Sequence, residues 1–421
     1  MLCFILCLFF TMLTVTKQYD IYVFIHGSVL SGATFLDLER LLKDTWPEDA
    51  SSWSEQTIDA YRAEKSAYHS DCMLDYGLIP LDPQHIQGTI PQELQQYAAY
   101  HIVRAFARFN AFTHTASTSH AEVEYDLYGW PGLLSRTKRD EIEAQKLYTH
   151  LRERDIAIKR AGDTVRWLIY SHSHGAQLVL NLPRIRSDHP EDKDFVIDTV
   201  VLSAAPLYYA NARHILRGMF HTVINVYSRA DIIQIADIFS TPTRSPARTL
   251  GEVVPMPLHH AMVVVDVELT VCDTALFGHG SFFILNRYSG TSLIMPRARR
   301  KACHALLQQL NPIPLVSFYP LILQPLMQFE PGYYAIRANA YTIQNQHEDR
   351  TVHIDLHHNT TTSTCATASF PITISAPNTV LDTIRREIQE VYHKTGYRSE
   401  IHKAMSTMKH MILTIFRTKS L

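Results

Sequence analysis

The feature that most constrains the fold is an alternation of short apolar runs with segments of helical periodicity. Six runs of β-branched and aromatic residues stand out in the first two thirds of the chain. They are continuous and not strictly alternating, which is typical of strands buried on both faces of a parallel sheet. The runs are Ile21–Ile25, Val123–Tyr128, Val165–Tyr170, Val196–Leu202, Val223–Tyr227 and Met262–Val271.

Segments with apolar residues at helical spacing accompany these runs, and such helices connect parallel strands through right-handed crossovers. The sequence therefore predicts an α/β fold with a doubly wound, mostly parallel sheet. Ligands bind such sheets at the carboxyl ends of the strands, so the residues directly after each run are the candidates for chemistry. The helical segments are Phe35–Leu42, Pro91–Phe109, Lys138–Lys159, Gly175–Pro183, Asn211–Phe220 and Arg297–Leu310.

The predicted organisation has one main domain with two additions. Residues 17–311 form the α/β domain, and residues 46–115 are a long insertion in the position of a cap over the site. Residues 312–421 form a separate C-terminal α+β extension, because a predicted hairpin, Tyr333–Gln344 with Thr351–His357, precedes two amphipathic helices.

Residues 1–16 contain an uncharged apolar run, residues 2–15, which ends before Lys17. The run suits a signal or anchor segment, but it lacks a basic start and a small-residue cleavage site. As a helix it would extend about 21 Å, less than the ~30 Å hydrocarbon core of a bilayer. Two alternatives stay open. A signal or anchor implies export or membrane association, whereas a buried element of the domain implies a cytoplasmic protein.

Charge and motifs limit the partners. With 39 basic and 41 acidic residues the net charge is -2, so no basic field draws the chain onto nucleic acid. No Walker loop or G-x-G-x-x-G follows a run and no C-x-x-C pair occurs, so neither a cofactor nor a metal is predicted. Three residues, His353, Asp355 and His357, alternate along a predicted strand and so share one face, which is typical of a solvated edge strand. The alternative is that their side chains bind zinc.

The strongest chemical signal is an apolar strand, residues 167–170, that continues into Ser171-His172-Ser173-His174-Gly175. This segment resembles the nucleophile elbow of the α/β-hydrolase fold of lipases and esterases, with Ser173 as the matching serine. Ser171 stands where the motif has its first glycine, and a residue this small is expected to be tolerated. The alternative is a serine that caps an ordinary helix.

The resemblance also implies an oxyanion hole and a pocket. One oxyanion donor is the backbone N–H of His174, and the other comes from Gly27 or Ser28, directly after the first run. Glycine there lets the backbone approach a substrate. Three side chains are expected around the substrate: His26, His172 and Trp130, the last with packing against the sheet edge as its alternative.

In this fold the acid and then the base follow the nucleophile along the chain. Asp231 follows the run Val223–Tyr227 and is the candidate acid that orients the imidazole. His279, between two glycines after the last run, is the candidate base. The alternatives are Asp237 for the acid and His259 or His260 for the base.

The resemblance thus implies a serine hydrolase that attacks an ester-type carbonyl through an acyl-enzyme. Peptides, amides and thioesters pass through the same intermediate, so the resemblance does not choose among them. The apolar insertion favours a small-molecule or lipid-like acyl ester as substrate. The alternative from another class is a catalytically silent member of the fold that binds or scaffolds, in which the elbow is a packing feature.

Overall fold

The computed structural model describes residues 16–27, 77–91, 98–114, 121–130, 138–231, 247–254, 262–273, 306, 313–344, 350–358, 372–376, 381–387 and 389. The strands are β1 Gln18–Ile25, β2 Gly77–Pro80, β3 Glu122–Gly129, β4 Thr164–His172, β5 Ile197–Ser203, β6 Phe220–Tyr227, β7 Val263–Val271, β8 Gly332–Gln344, β9 Arg350–His358 and β10 Ile372–Ala376. The α-helices are α1 Pro83–Gln87, α2 Ala98–His114, α3 Ala144–Arg160, α4 Gly175–Ser187, α5 Tyr209–Ala212, α6 Leu250–Val253 and α7 Tyr319–Leu323.

The strands form one mixed sheet in the order β10-β9-β8-β7-β6-β5-β4-β1-β3-β2. Neighbours from β3 through β1 and β4 to β8 are parallel, whereas β2, β9 and β10 pair antiparallel with their neighbours. All six predicted runs are strands, β1 and β3 to β7, so the prediction of a mostly parallel α/β sheet is confirmed. The strand order reverses at β1, which lies between β3 and β4, and loops at such a point form a crevice.

Helices cover both faces of this sheet. Alternate residues of β1 enter two different cores: Tyr22 and Phe24 pack with Phe106 of α2, whereas Ile21 and Val23 belong to the core beneath α3 and α4. A strand buried on both sides carries apolar residues on both faces, which explains the nearly continuous runs. The second core is the one that supports α4, the helix after the predicted elbow.

The insertion contributes structure to the sheet where it is described. Its strand β2 pairs with β3 at one edge, and α2 packs on the sheet through Phe106 and Phe109. Residues 46–76, 92–97 and 115 of the predicted cap lie outside the described residues, as does the predicted helix Phe35–Leu42.

The C-terminal hairpin is confirmed, since β8 and β9 pair antiparallel. However, β8 also pairs parallel with β7 along nine residue pairs, so the extension continues the main sheet and does not form a sheet of its own. Glu387, in the helical residues 381–387, forms an ion pair with Arg108 of α2. The boundary at residue 312 stays a prediction.

One predicted helix is wrong at its end. Asn211–Phe220 was expected to be helical, but α5 is followed by a 3₁₀ turn, Arg213–Arg217, and Phe220 already opens β6. Gly218 adopts a left-handed φ of 69°, the conformation that terminates helices.

Within the described part of the chain, no helix is both long enough and apolar enough to cross a membrane. Residues 2–15 lie outside that part.

A buried carboxyl on β3 gives a testable pH effect. Asp126 is fully buried and pairs with Arg154 of α3 at 2.5 Å, and burial raises its pKa from 3.8 to about 6. A raised folded-state pKa means that the folded protein binds more protons, so the contribution to stability falls as pH rises through 6. Between pH 4 and 7, we expect the unfolding free energy of the wild type to fall by about 2 kcal/mol relative to Asp126→Asn.

Urea unfolding of both proteins across this range measures the effect. Glu153→Gln, which removes an exposed carboxyl beside Arg154, is the matched control. A constant difference between wild type and Asp126→Asn would contradict the prediction.

Candidate functional site

Ser173 lies in a sharp turn between β4 and α4. Its φ is +51°, in the left-handed region that a residue with a side chain adopts at a cost. The turn is held by two hydrogen bonds: the Ser173 N–H donates to Ser203 O at 2.8 Å, and the Ala176 N–H donates to Ser173 O at 3.1 Å. Helix α4 begins two residues later at Gly175, so its N-terminus is at the turn.

The small residues around the turn have steric reasons. A Cβ on Gly175 would lie 2.3 Å from the carbonyl oxygen of His26, closer than atoms can approach. Ser171, in place of the motif's first glycine, is fully buried, and its hydroxyl donates to Val201 O on β5 at 3.1 Å. The hydrogen bond to the neighbouring strand is the reason that the sheet accommodates this serine.

The loop after β1 lies against the turn. β1 and β4 are neighbours, and Ile25 is in register with Ser171. A Cβ on Gly27 would lie 2.7 Å from the Cβ of Ser173 and 3.0 Å from Nδ1 of His172. The two sequence motifs, more than a hundred residues apart, therefore meet at one point. Ser28, the other candidate oxyanion residue, lies outside the described residues.

His26 and Trp130 form a buried support beneath this loop. Nδ1 of His26 is 2.5 Å from Gly27 O, the Trp130 N–H points at Nε2 at 3.4 Å, and the Trp130 indole donates to His26 O at 2.9 Å. Burial lowers the pKa of His26 to about 4, so the ring is neutral at pH 7. With Nε2 as the acceptor, Nδ1 carries the proton and donates to Gly27 O. Both side chains were expected around a substrate. Their described hydrogen bonds join His26, Gly27 and Trp130 and so hold the loop after β1.

The other predicted residues lie at the same edge of the sheet. His172 and His174 are buried on either side of Ser173, and the N–H of His174 is at the start of α4. Asp231 is buried in a turn after β6, where its N–H donates to Ser228 O at 3.1 Å. Since β4, β5 and β6 are parallel neighbours, the turns at Ser173 and Asp231 follow strands two positions apart.

The predicted base is not among the described residues. His279 lies outside the described part of the chain. The alternative acid, Asp237, and the alternative bases, His259 and His260, lie outside it too. What the structure brings together is Ser173, Gly27, their buried supports and the two flanking histidines.

Sequence reasoning missed two buried carboxylates on β7, Asp266 and Glu268, which are 2% and 3% exposed. Both fall in the run V-V-V-D-V-E-L-T-V, where polar residues alternate with apolar ones. That alternation was the available signal, because alternate residues of a strand share a face.

The zinc alternative gains no support from the described residues. His353 stacks on Tyr341, and Nε2 of His357 is 3.9 Å from a carboxylate oxygen of Asp355. In the described ranges, three potential metal ligands lie within 4.8 Å of one another at another place, His189, Glu191 and Asp192. Asp192 there already accepts hydrogen bonds from two side chains, those of Tyr148 and Arg152.

Comparison with family models, with curated proteins and with solved structures returns no match for this chain.

Proposed function

We propose that the chain is a serine hydrolase of the α/β-hydrolase type that cleaves a small-molecule or lipid-like acyl ester. The observation that carries the proposal is the left-handed φ of +51° at Ser173, between β4 and α4. A strained conformation at a strand-to-helix turn aims a hydroxyl away from the sheet, and strain of this kind concentrates at functional sites. A serine that merely capped α4 would have extended backbone and no such strain.

The position of the turn supports the same proposal. Ser173 follows a strand at the point where the strand order reverses, and the buried loop at Gly27 lies against it. The N-terminus of α4 lies next to the hydroxyl, and the backbone N–H groups at a helix N-terminus carry partial positive charge. Such groups stabilise the negative oxygen of a tetrahedral intermediate.

In the proposed mechanism, the Ser173 hydroxyl attacks the ester carbonyl carbon while the imidazole of His279 accepts its proton. The N–H of His174 and one from Gly27 or Ser28 bind the oxyanion. Asp231 keeps the imidazole in the productive tautomer and stabilises its charged form. The imidazolium then protonates the leaving alcohol, and water hydrolyses the acyl-enzyme by the same route. These steps use side chains and backbone of the chain itself.

Active-site labelling with a fluorophosphonate, followed by peptide mapping, tests the proposal. We expect the wild type to be labelled on Ser173 and Ser173→Ala to take no label. Ser171→Ala is the matched control, because it removes a neighbouring buried hydroxyl. The described hydrogen bond of that hydroxyl goes to Val201 O, within the sheet. His279→Ala should slow labelling about a thousandfold or more, and His260→Ala should not.

A folded wild type that takes no label would contradict the proposal and favour a silent member of the fold that binds or scaffolds. Equal labelling of Ser173→Ala would show that another residue reacts. Loss of labelling in His260→Ala but not in His279→Ala would show that His260 is the base, and the proposal of a serine hydrolase would stand.

A further inference from the structure

Two buried carboxylates lie on one face of β7, Asp266 and Glu268, two residues apart. An ionised carboxylate inside a protein is costly unless charged groups or hydrogen-bond donors surround it. What surrounds these two carboxylates therefore indicates what they hold in place. In the described part of the chain, the partners of the two carboxylates lie on β6, on β8 and in the segments that follow β6.

Asp266 binds the start of the short helix α6. One carboxylate oxygen accepts from Leu250 N at 2.9 Å and from the Asn225 amide at 2.7 Å. The other accepts from Gly251 N at 3.0 Å and from the Tyr333 hydroxyl at 2.8 Å. A Cβ on Gly251 would lie 2.4 Å from that hydroxyl, so the backbone is packed directly against this cluster.

This cluster is connected to the turn that carries Asp231. The amide of Asn225 also donates to the carbonyl oxygen of Arg248 at 2.8 Å. The guanidinium of Arg248 in turn donates to Asp231 O at 3.1 Å. Asp266 thus fixes residues 248–251, and Arg248 connects them to the backbone of the predicted acid.

Glu268 holds the same turn from its other end. It accepts from Nε of Arg229 at 2.9 Å, and Arg337 of β8 lies 3.7 Å from its second oxygen. Arg229 is two residues before Asp231, inside the Ser228–Asp231 turn. One end of the turn is therefore bound through a side chain to Glu268 and the other through Arg248 to the Asp266 cluster.

We propose that Asp266 and Glu268 are positioning residues that fix the turn carrying the carboxylate of Asp231. The inference rests on the proposed function, because it needs Asp231 to act on a catalytic imidazole. Neither carboxylate contacts the substrate. Each acts through an arginine, and together they determine where the Asp231 side chain points.

Steady-state kinetics of Asp266→Asn and Glu268→Gln tests the inference. We expect kcat to fall between about 10-fold and 100-fold with KM within about twofold, because misplacement of a catalytic group by 1 Å has this effect. An imidazole with a poorly placed carboxylate also has a lower pKa, so the acidic limb of kcat/KM should move to lower pH by about one unit. A purely structural role would lower the melting temperature without moving that limb.

Asp155→Asn is the matched control. Asp155 is equally buried and pairs with Arg152 and Lys159, but its described contacts are on α3 and β4. It should lose stability and keep both kcat and the pH profile. If Asp266→Asn does not fold, Arg229→Gln and Arg248→Gln break the two connections at exposed or half-buried positions and should give the same kinetic change.

The two proposals can fail separately. An unchanged kcat and an unmoved acidic limb in both β7 variants, with Ser173→Ala and Asp231→Asn inactive, would overturn the inference and leave the hydrolase. A wild type without Ser173-dependent activity would overturn both.

Discussion

Replacing Ser173 with glycine is expected to abolish hydrolysis and to give a protein more stable than Ser173→Ala by about 1 kcal/mol. Neither variant has a hydroxyl, so both should lose about 10⁴-fold or more in kcat/KM. They differ in the backbone, because φ at this position is +51° and only glycine adopts that conformation without steric cost. The gain in stability therefore measures the strain that the folded protein maintains at the predicted nucleophile.

Urea unfolding of the two variants, with activity measured on the same preparations, gives this comparison. The greater entropy of glycine in the unfolded chain opposes the gain and is common to any alanine-to-glycine change. A glycine variant less stable than the alanine variant would mean that the turn is not strained. Residual Ser173-independent hydrolysis at the wild-type rate would contradict the first half of the prediction.

The second large effect is expected at Gly175, where alanine should destabilise the protein by about 3 kcal/mol. The added Cβ would lie 2.3 Å from His26 O and 3.1 Å from the Ile25 side chain, so either α4 or the loop after β1 must move. Movement of that loop displaces Gly27 from Ser173. We therefore expect kcat to fall together with stability, by about 100-fold.

Gly218→Ala is the control for this substitution. Gly218 also has a left-handed φ, 69°, but nothing lies within 4 Å of an added Cβ. Its alanine variant should lose about 1 kcal/mol and keep full activity. Equal losses of stability in the two variants, or full activity in Gly175→Ala, would show that the contact between α4 and the His26 loop does not position the site.

Sequence patterns predicted the elements whose formation depends on the polarity of neighbouring residues along the chain. Six predominantly apolar runs became strands because burial on both faces of a sheet favours apolar residues on both faces of the strand. The helix predicted over Asn211–Phe220 is α-helical only to Ala212; a 3₁₀ turn follows it and ends at the left-handed Gly218. The partner of β8 could not be predicted, since period-two alternation identifies a strand but not which strand lies beside it.

The candidate site also has parts that short motifs predict and parts that depend on contacts between distant residues. Ser173 and Gly27 were found because each belongs to a short motif beside a strand. The contacts of Asp266 were not visible in the sequence, because its partners Tyr333 and Asn225 are 67 and 41 residues away along the chain. Only the fold brings them together around a carboxylate. The contacts of His26 were missed for the same reason, since they depend on Trp130, 104 residues further along the chain.

The pairing of β8 with β7 also affects how the chain could be divided. All nine residues of β7 are buried, and β8 satisfies the backbone groups along its outer side. A protein shortened to end near residue 311 would leave this long edge unpaired, and unpaired strand edges recruit strands from other molecules. The C-terminal hairpin therefore protects the half of the sheet that carries Asp231 from self-association.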